Sequence, residues 1–324
     1  VTTIESGILQ VGAGTTGTLG TGAVVNNAVL AFNRSNTPLV ANAISGTGEL
    51  RQMNATGTTI LTGNNTYAGK TVISGGTLRI GNGSTTGTLG QGQVDITSVF
   101  AGIAFSRSDI APVVSNKITG TGTLSQIGGG TTILSGDNTY SGVTTVSSGT
   151  LQVGNGTGVT ELLGGTGLSG RLGTGNVVNN AVLAFNRDDT LAVDVSNNIS
   201  GSGSVRNTGV GTTILSGANT YTGTTQALSG VLRAGIATQA FGITSAVTVN
   251  GNLNLAGFSQ TIGSLAGSGI VTNALGAATL IVGTNNTSAT LTGNIQDGGS
   301  GAVISLIKVG SGVQTIAGTG VTPY

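Results

Sequence analysis

A thirteen-residue string, G-T-T-I-L-[TS]-G-x-N-T-Y-x-G, occurs three times, at residues 57–69, 130–142 and 211–223, at intervals of 73 and then 81 residues. A chain that copies itself at this period folds as a stack of like units, each burying its apolar face on the next. The longer interval is accounted for near 160–170 (T-E-L-L-G-G-T-G-L-S-G), which reads as a loop inserted into an otherwise regular unit. Other blocks keep a fixed order around the anchor: T-L-R-I-G at 77–81, T-L-Q-V-G at 150–154, a weaker V-L-R-A-G at 231–235 and I-L-Q-V-G at 8–12. An eleven-residue block, V-V-N-N-A-V-L-A-F-N-R, is identical at 24–34 and 177–187, with diverged relatives ending at Arg107 and near Phe258. The chain therefore reads as one continuous β-solenoid over 1–324, in about four diverged units at 1–70, 71–142, 143–223 and 224–324.

Within a unit the apolar period is two. Leu78 and Ile80 alternate with Thr77 and Arg79, and Leu151 and Val153 alternate with Thr150 and Gln152, so short strands present one apolar face. No segment keeps apolar residues at helical spacing free of glycine, and Gly, Asn and Ser punctuate the strands as turns. The fold class is all-β, a parallel β-helix with roughly 20 residues per turn, a value typical of solenoids.

Composition removes whole classes of chemistry. With no Cys, no His and no Trp, there is no thiolate or imidazole to bind a metal and no Ser-His-Asp or Cys-His nucleophile. No cofactor is expected. Eleven basic and ten acidic side chains give a net charge of +1, without the clustered cations that track phosphates, so nucleic acid is not an expected partner. No apolar run is long enough to span a bilayer as a helix. The chain starts at Val1 without Met, which reads as a processed or excised segment.

The anchor and the strand block after it, as in G-T-T-I-L-S-G-D-N-T-Y-S-G-V-T-T-V-S-S-G-T-L-Q-V-G at 130–154, resemble the passenger-associated transport repeat of bacterial autotransporters. The stretch 252–273, with T-L-I-V-G from Thr279 and T-G-N-I-Q-D-G from Thr292, is similar to the usual run of such passengers. This resemblance implies a right-handed parallel β-helix, secreted or displayed at the surface of a Gram-negative bacterium. It also implies a translocator barrel, which these 324 residues do not contain, so the block reads as passenger material.

Several local matches have ordinary readings. Residues 12–17 spell G-x-G-x-x-G, yet no helix pattern comes after them, and with 60 glycines the match carries no cofactor. Residues 63–71 miss the phosphate-loop spacing by one residue. The acids are scattered except for Asp188, Asp189 and Asp194 beside Arg187, a candidate surface site for a glycan or cation. Arg34, Arg107 and Arg187 each follow a Phe by two residues (Phe32, Phe105, Phe185); the expectation is Phe in the core and Arg on the outer face, with a repeated ligand stripe as the alternative. Tyr67, Tyr140 and Tyr221 are expected to pack at corners.

The two ends align with the repeat: 1–12 matches 143–154, and 312–324 matches the anchor that ends at Tyr140. Uncapped solenoids expose strand edges, so Val1, Thr2, Thr3, Ile4, Thr322, Pro323 and Tyr324 form a candidate end-to-end interface. A contact of this kind that does not close gives a filament. The expected function is non-enzymatic: a homo-oligomeric extracellular fibre with an adhesive role, with glycan or host-surface contacts. The alternatives are a monomeric passenger adhesin and a glycan-binding or glycan-cleaving β-helix.

Overall fold

A computed structural model describes residues 1–110, 113–156, 170–188 and 192–319. The insertion expected near 160–170 lies, apart from Gly170, outside the described residues, as do Asp189, Thr322, Pro323 and Tyr324. The described residues form two compact units, residues 1–152 with 170–176, and residues 153–156 with 177–319. All the regular structure described in both is β-strand, and every strand pairing within each is parallel. Each unit is a parallel β-solenoid.

In the first unit the chain visits three sheets in turn. It passes through Val24–Asn26, then Val29–Arg34, then Leu39–Val40, and returns to the first sheet at Ile44–Ser45. Each strand lies on the one a turn earlier: Thr77 pairs with Thr58 on one side and Gly102 on the other. The alternation read from sequence is realised. In Thr77–Ile80, Leu78 and Ile80 are buried while Thr77 and Arg79 are half-buried on the outer face. Inward residues stack in ladders such as Leu30, Leu50, Thr71, Val94 and Ile118, all buried and in direct register. Their apolar members supply the burial that stabilises a thin axial core.

A turn takes about 20–25 residues, so a 73-residue interval is not a whole number of turns. The consequence appears in the first unit. Val29–Arg34 belongs to the sheet that contains Ile8–Gly14 and Glu49–Gln52. Its counterpart in the next repeat, Gly102–Phe105, belongs to the neighbouring sheet with Thr77–Ile80 and Thr123–Gln126. Successive repeats therefore present their equivalent residues on different faces, three turns and one strand apart.

The second unit repeats this build. One sheet runs Val182–Phe185, Ser204–Asn207, Thr225–Ala227, Ala246–Val249 and Ser264–Ala266. Another runs from Val193–Val195 through Thr212–Leu215 to Asn294–Gln296. Later strands, Ala278–Val282 with Ile304–Lys308 and Ala289–Leu291 with Gln314–Ile316, continue it in parallel.

Candidate functional site: recurring corners and the clefts beside them

The anchor forms a corner, and nearly every recurring residue in it has a structural task. Asn65 is buried and stands in the ladder between turns. Its Oδ1 accepts from the Ile44 N–H at 3.0 Å, and its Nδ2 donates to the Thr88 carbonyl at 2.7 Å. Asn138 does the same between Ile118 and Arg171 (2.9 and 2.8 Å), and Asn219 between Ile199 and Ala240 (2.8 and 2.7 Å). At these corners a side-chain amide replaces the backbone peptide of one rung, which keeps buried polar groups paired where the sheet is interrupted.

Two residues on, Tyr67, Tyr140 and Tyr221 are fully buried. Each phenol meets the threonine four positions later: Tyr67 with Thr71 at 2.8 Å, Tyr140 with Thr144 at 2.7 Å, and Tyr221 with Thr225 at 2.6 Å. Those threonines point inward within apolar ladders, as Thr225 does between Val205 and Val247. The phenol therefore pairs with a hydroxyl held in the core, which at Thr225 also meets Ser245 Oγ at 2.8 Å. Burial pushes the phenol pKa up, to about 12 for Tyr140 and Tyr221, with the threonine bond opposing it.

A further recurring block explains what covers the tyrosine. G-x-L-G-x-G occurs at 17–22, 87–92 and 170–175. A side-chain carbon at Gly90 would sit 2.4 Å from the Tyr67 ring, and one at Gly173 would sit 2.5 Å from the ring of Tyr140. The glycines let the next turn close flat on the aromatic face. Asn42 locks the first such loop by donating to the carbonyls of Gly20 and Gly22, both at 2.6 Å. Asn116 locks the second through Gly90 and Gly92, at 2.9 and 2.6 Å.

The arginines overturn their expected placement. Arg34, Arg107 and Arg187 are 9%, 8% and 4% exposed, so they lie inside rather than on the outer face. Positions i and i+2 of a strand share a face, and Arg34 follows Phe32 inward. Its Nη1 and Nη2 donate to the carbonyls of Gly17 and Thr15, both at 2.5 Å, and its Nε to Asn36 Oδ1 at 3.1 Å. Arg107 donates to the Gly87 carbonyl at 2.8 Å and holds Asp109 through two bonds, at 3.0 and 2.7 Å. That pairing holds the Asp109 carboxyl below the usual carboxylate range.

The arginine stem crosses a glycine with positive φ, Gly12 (86°) or Gly81 (81°). A carbon on Gly12 would come within 2.4 Å of the Arg34 stem. The G-x-G-x-x-G string at 12–17 thus begins a corner that accommodates an arginine. In the string resembling a phosphate loop, a side-chain carbon at Gly63 or Gly69 would collide with the carbonyl of Asn42 or Gly48.

Three members of the candidate acidic site lie among the described residues, and Asp189 does not. Arg187 is buried, Asp188 is half-buried, and Asp194 is exposed on Val193–Val195, where Ser216 Oγ donates to it. Among the described residues no three Asp or Glu side chains come together as a metal site would require. At the N-terminal end, Val1 is 91% exposed and Thr2–Ile4 pairs on one side with Val24–Asn26.

Beside the first two arginine corners lie clefts of matching construction. One, of about 260 Å³, is lined by Val11, Leu19, Phe32, Arg34, Leu39 and Asn42 among others. The other, of about 140 Å³, is lined at the equivalent positions by Ile80, Leu89, Phe105, Arg107, Val113 and Asn116.

Parallel strands, corner asparagines and tyrosine-threonine plugs together define a repeat-built β-solenoid. The passenger-associated transport repeat matches at residues 56–80, 124–153 and 207–234, three copies against the four or so units read from the sequence. The chain is also similar to the adhesin BmaC autotransporter of Brucella suis biovar 1 (strain 1330), 32% identical over 359 residues. That match covers 93% of this chain and 10% of the relative. The chain belongs to the autotransporter passengers that carry this repeat, proteins secreted or displayed at the surface of Gram-negative bacteria. It spans about a tenth of the length of the curated relative. No solved structure matches it.

Proposed function

We propose that this chain is a non-enzymatic segment of a surface-displayed adhesin passenger, a scaffold whose faces make the contacts. The observation that carries this is the use of its recurring polar residues. Asn65, Asn138, Asn219 and Arg107 are spent on joining one turn to the next, which leaves the contacts of adhesion to the Thr, Ser and Asn side chains that face outward. The adhesin name of the similar Brucella protein supports the same reading. The test is to fuse the chain to a translocator barrel on a non-adherent bacterium and count cells bound to host monolayers. Adherence above that of bacteria displaying the barrel alone supports the reading, and equal counts sink it.

A second reading concerns assembly. The open edge of Thr2–Ile4 is where a further turn of the same repeat would pair, supplied by the same polypeptide or by another copy. Sedimentation velocity separates these: a coefficient that rises with concentration favours stacking copies, and a constant one favours a monomeric passenger.

A further inference from the structure

The two clefts differ in one charge. Arg107 is neutralised by Asp109, and the first copy carries Asn36 at the place of Asp109. The ion pairs among the described residues are Arg51 with Glu49, Arg107 with Asp109 and Arg171 with Asp137. None brings a carboxylate to Arg34. A cation that is 9% exposed and held only by neutral oxygens is an anion site in waiting, because buried charges are ordinarily paired. Three of the five guanidinium N–H groups are engaged by Gly17, Thr15 and Asn36, and the fork has five donors in all. Two remain for a ligand.

The rest of the cleft specifies the ligand's body. Val11, Leu19, Phe32, Pro38, Leu39 and Val40 line it, and the Asn42 amide is occupied by the two glycine carbonyls. Gly17, Thr18 and the Arg34 guanidinium give the cleft one polar side, and Leu19 with the exposed Leu39 gives it an apolar side, which suits a small body with one anionic and one hydrocarbon end. The volume of about 260 Å³ is below the ~300–1,000 Å³ range of sites for drug-sized molecules, so the ligand is small. The same cleft recurs at Arg107, inside the unit, so its shape comes from the repeat rather than from its nearness to the first turn. We infer that the Arg34 cleft binds a small carboxylate on an apolar body, either a free short-chain acid or the carboxyl terminus of a peptide ending in an aliphatic residue. Arg34 pairs with the carboxylate, while Leu19, Leu39 and Val40 cover the chain.

The test titrates the 324-residue protein at low salt with hexanoate, hexanol, and acetyl-Gly-Leu as acid and as amide. Binding is followed by calorimetry and by methyl NMR shifts. Expected results are one site per chain, binding of the acids at least tenfold tighter than of hexanol or the amide, and shifts centred on Val11, Leu19, Leu39 and Val40. Tighter binding of the peptide acid than of hexanoate would assign the site to protein termini, and the reverse to free acids.

Asn36→Asp rebuilds the Arg107–Asp109 arrangement that the fold already holds, and it should weaken the acids at least tenfold. Asn82→Asp, an exposed change of equal charge, should not. The proposal is overturned if neither acid binds, if the neutral analogues bind equally, or if Asn36→Asp retains full affinity. Should that variant not fold, shifts in the wild-type protein that miss the methyl groups of the four named residues overturn it equally.

Discussion

Replacing Asn65 with Ala is the sharpest probe of the corner design, because its neighbour Asn64 is exposed and supplies the control. The substitution removes the amide that joins the Ile44 N–H to the Thr88 carbonyl, at 3.0 and 2.7 Å. It leaves both of those backbone groups without their partner. A buried polar group stripped of its partner costs about 1–3 kcal/mol, so two such groups place the loss at about 2–6 kcal/mol. Asn64→Ala, a surface change, should stay within about 0.5 kcal/mol of wild type. Urea unfolding followed by circular dichroism gives both values, and hydrogen exchange should show the Ile44 amide losing protection in Asn65→Ala. If the two variants unfold at the same urea concentration, the asparagine is not a structural bridge and the account of the anchor fails.

The plug itself predicts a coupled pair. Tyr140→Phe and Thr144→Val should each cost about 1–3 kcal/mol, and the double variant should cost less than the sum, because the phenol–threonine bond is lost only once, while the Gly173 N–H loses the phenol oxygen in both Tyr140→Phe variants; additive losses would refute the bond. Gly90→Ala puts a carbon 2.4 Å from both the Tyr67 ring and its carbonyl and should lower stability by about 1–3 kcal/mol or more. Gly129→Ala, which meets nothing within 4 Å, should be near neutral in the same melt. Alkali should unfold the protein through Tyr67, Tyr140 and Tyr221. Their folded pKa values lie above the ordinary value near 10, reaching about 12 for Tyr140 and Tyr221. The stabilisation is therefore complete below pH 10 and is lost as pH rises through 10 to 12, by about 2–3 kcal/mol for each of these two. In a Tyr324→Phe variant, which keeps only these three tyrosines, tyrosinate absorbance that rises well before the loss of sheet signal would contradict the burial.

The sequence is most legible where physics is local. Period-two alternation and ordered repeats are enough to read a parallel solenoid, because a strand's inward set is written directly in its residues, as in Leu78 and Ile80. The burial of Tyr67, Tyr140 and Tyr221 follows from an aromatic recurring between glycines. Arg34 and Arg107 defeat the expectation that a charged side chain faces solvent, although the i, i+2 relation to Phe already puts them inward. The 170–175 copy of G-x-L-G-x-G looks like the end of an insertion when taken alone; its match to 17–22 and 87–92 is the signal that makes it part of the repeat. The turn length is not legible, since 73 residues do not state that they make three turns and one strand. The difference between the Arg34 and Arg107 clefts rests on one residue, Asn36 against Asp109, and becomes meaningful only once both guanidinium groups are seen to be buried.

The central claim, that recurring residues join parallel turns in fixed register, has a direct test in a chain with no cysteine of its own. Ser125 and Thr145 are direct partners on adjacent turns, both on the outer face of Thr123–Gln126 and Thr144–Val146. Paired parallel strands lie about 4.8 Å apart, within the span that a disulfide bridges. The double variant Ser125→Cys, Thr145→Cys should form an intramolecular disulfide on mild oxidation, whereas Ser125→Cys with Thr119→Cys, which lies on a different sheet, should not. Equal cross-linking of both pairs, or of neither, would contradict the register and the solenoid built upon it.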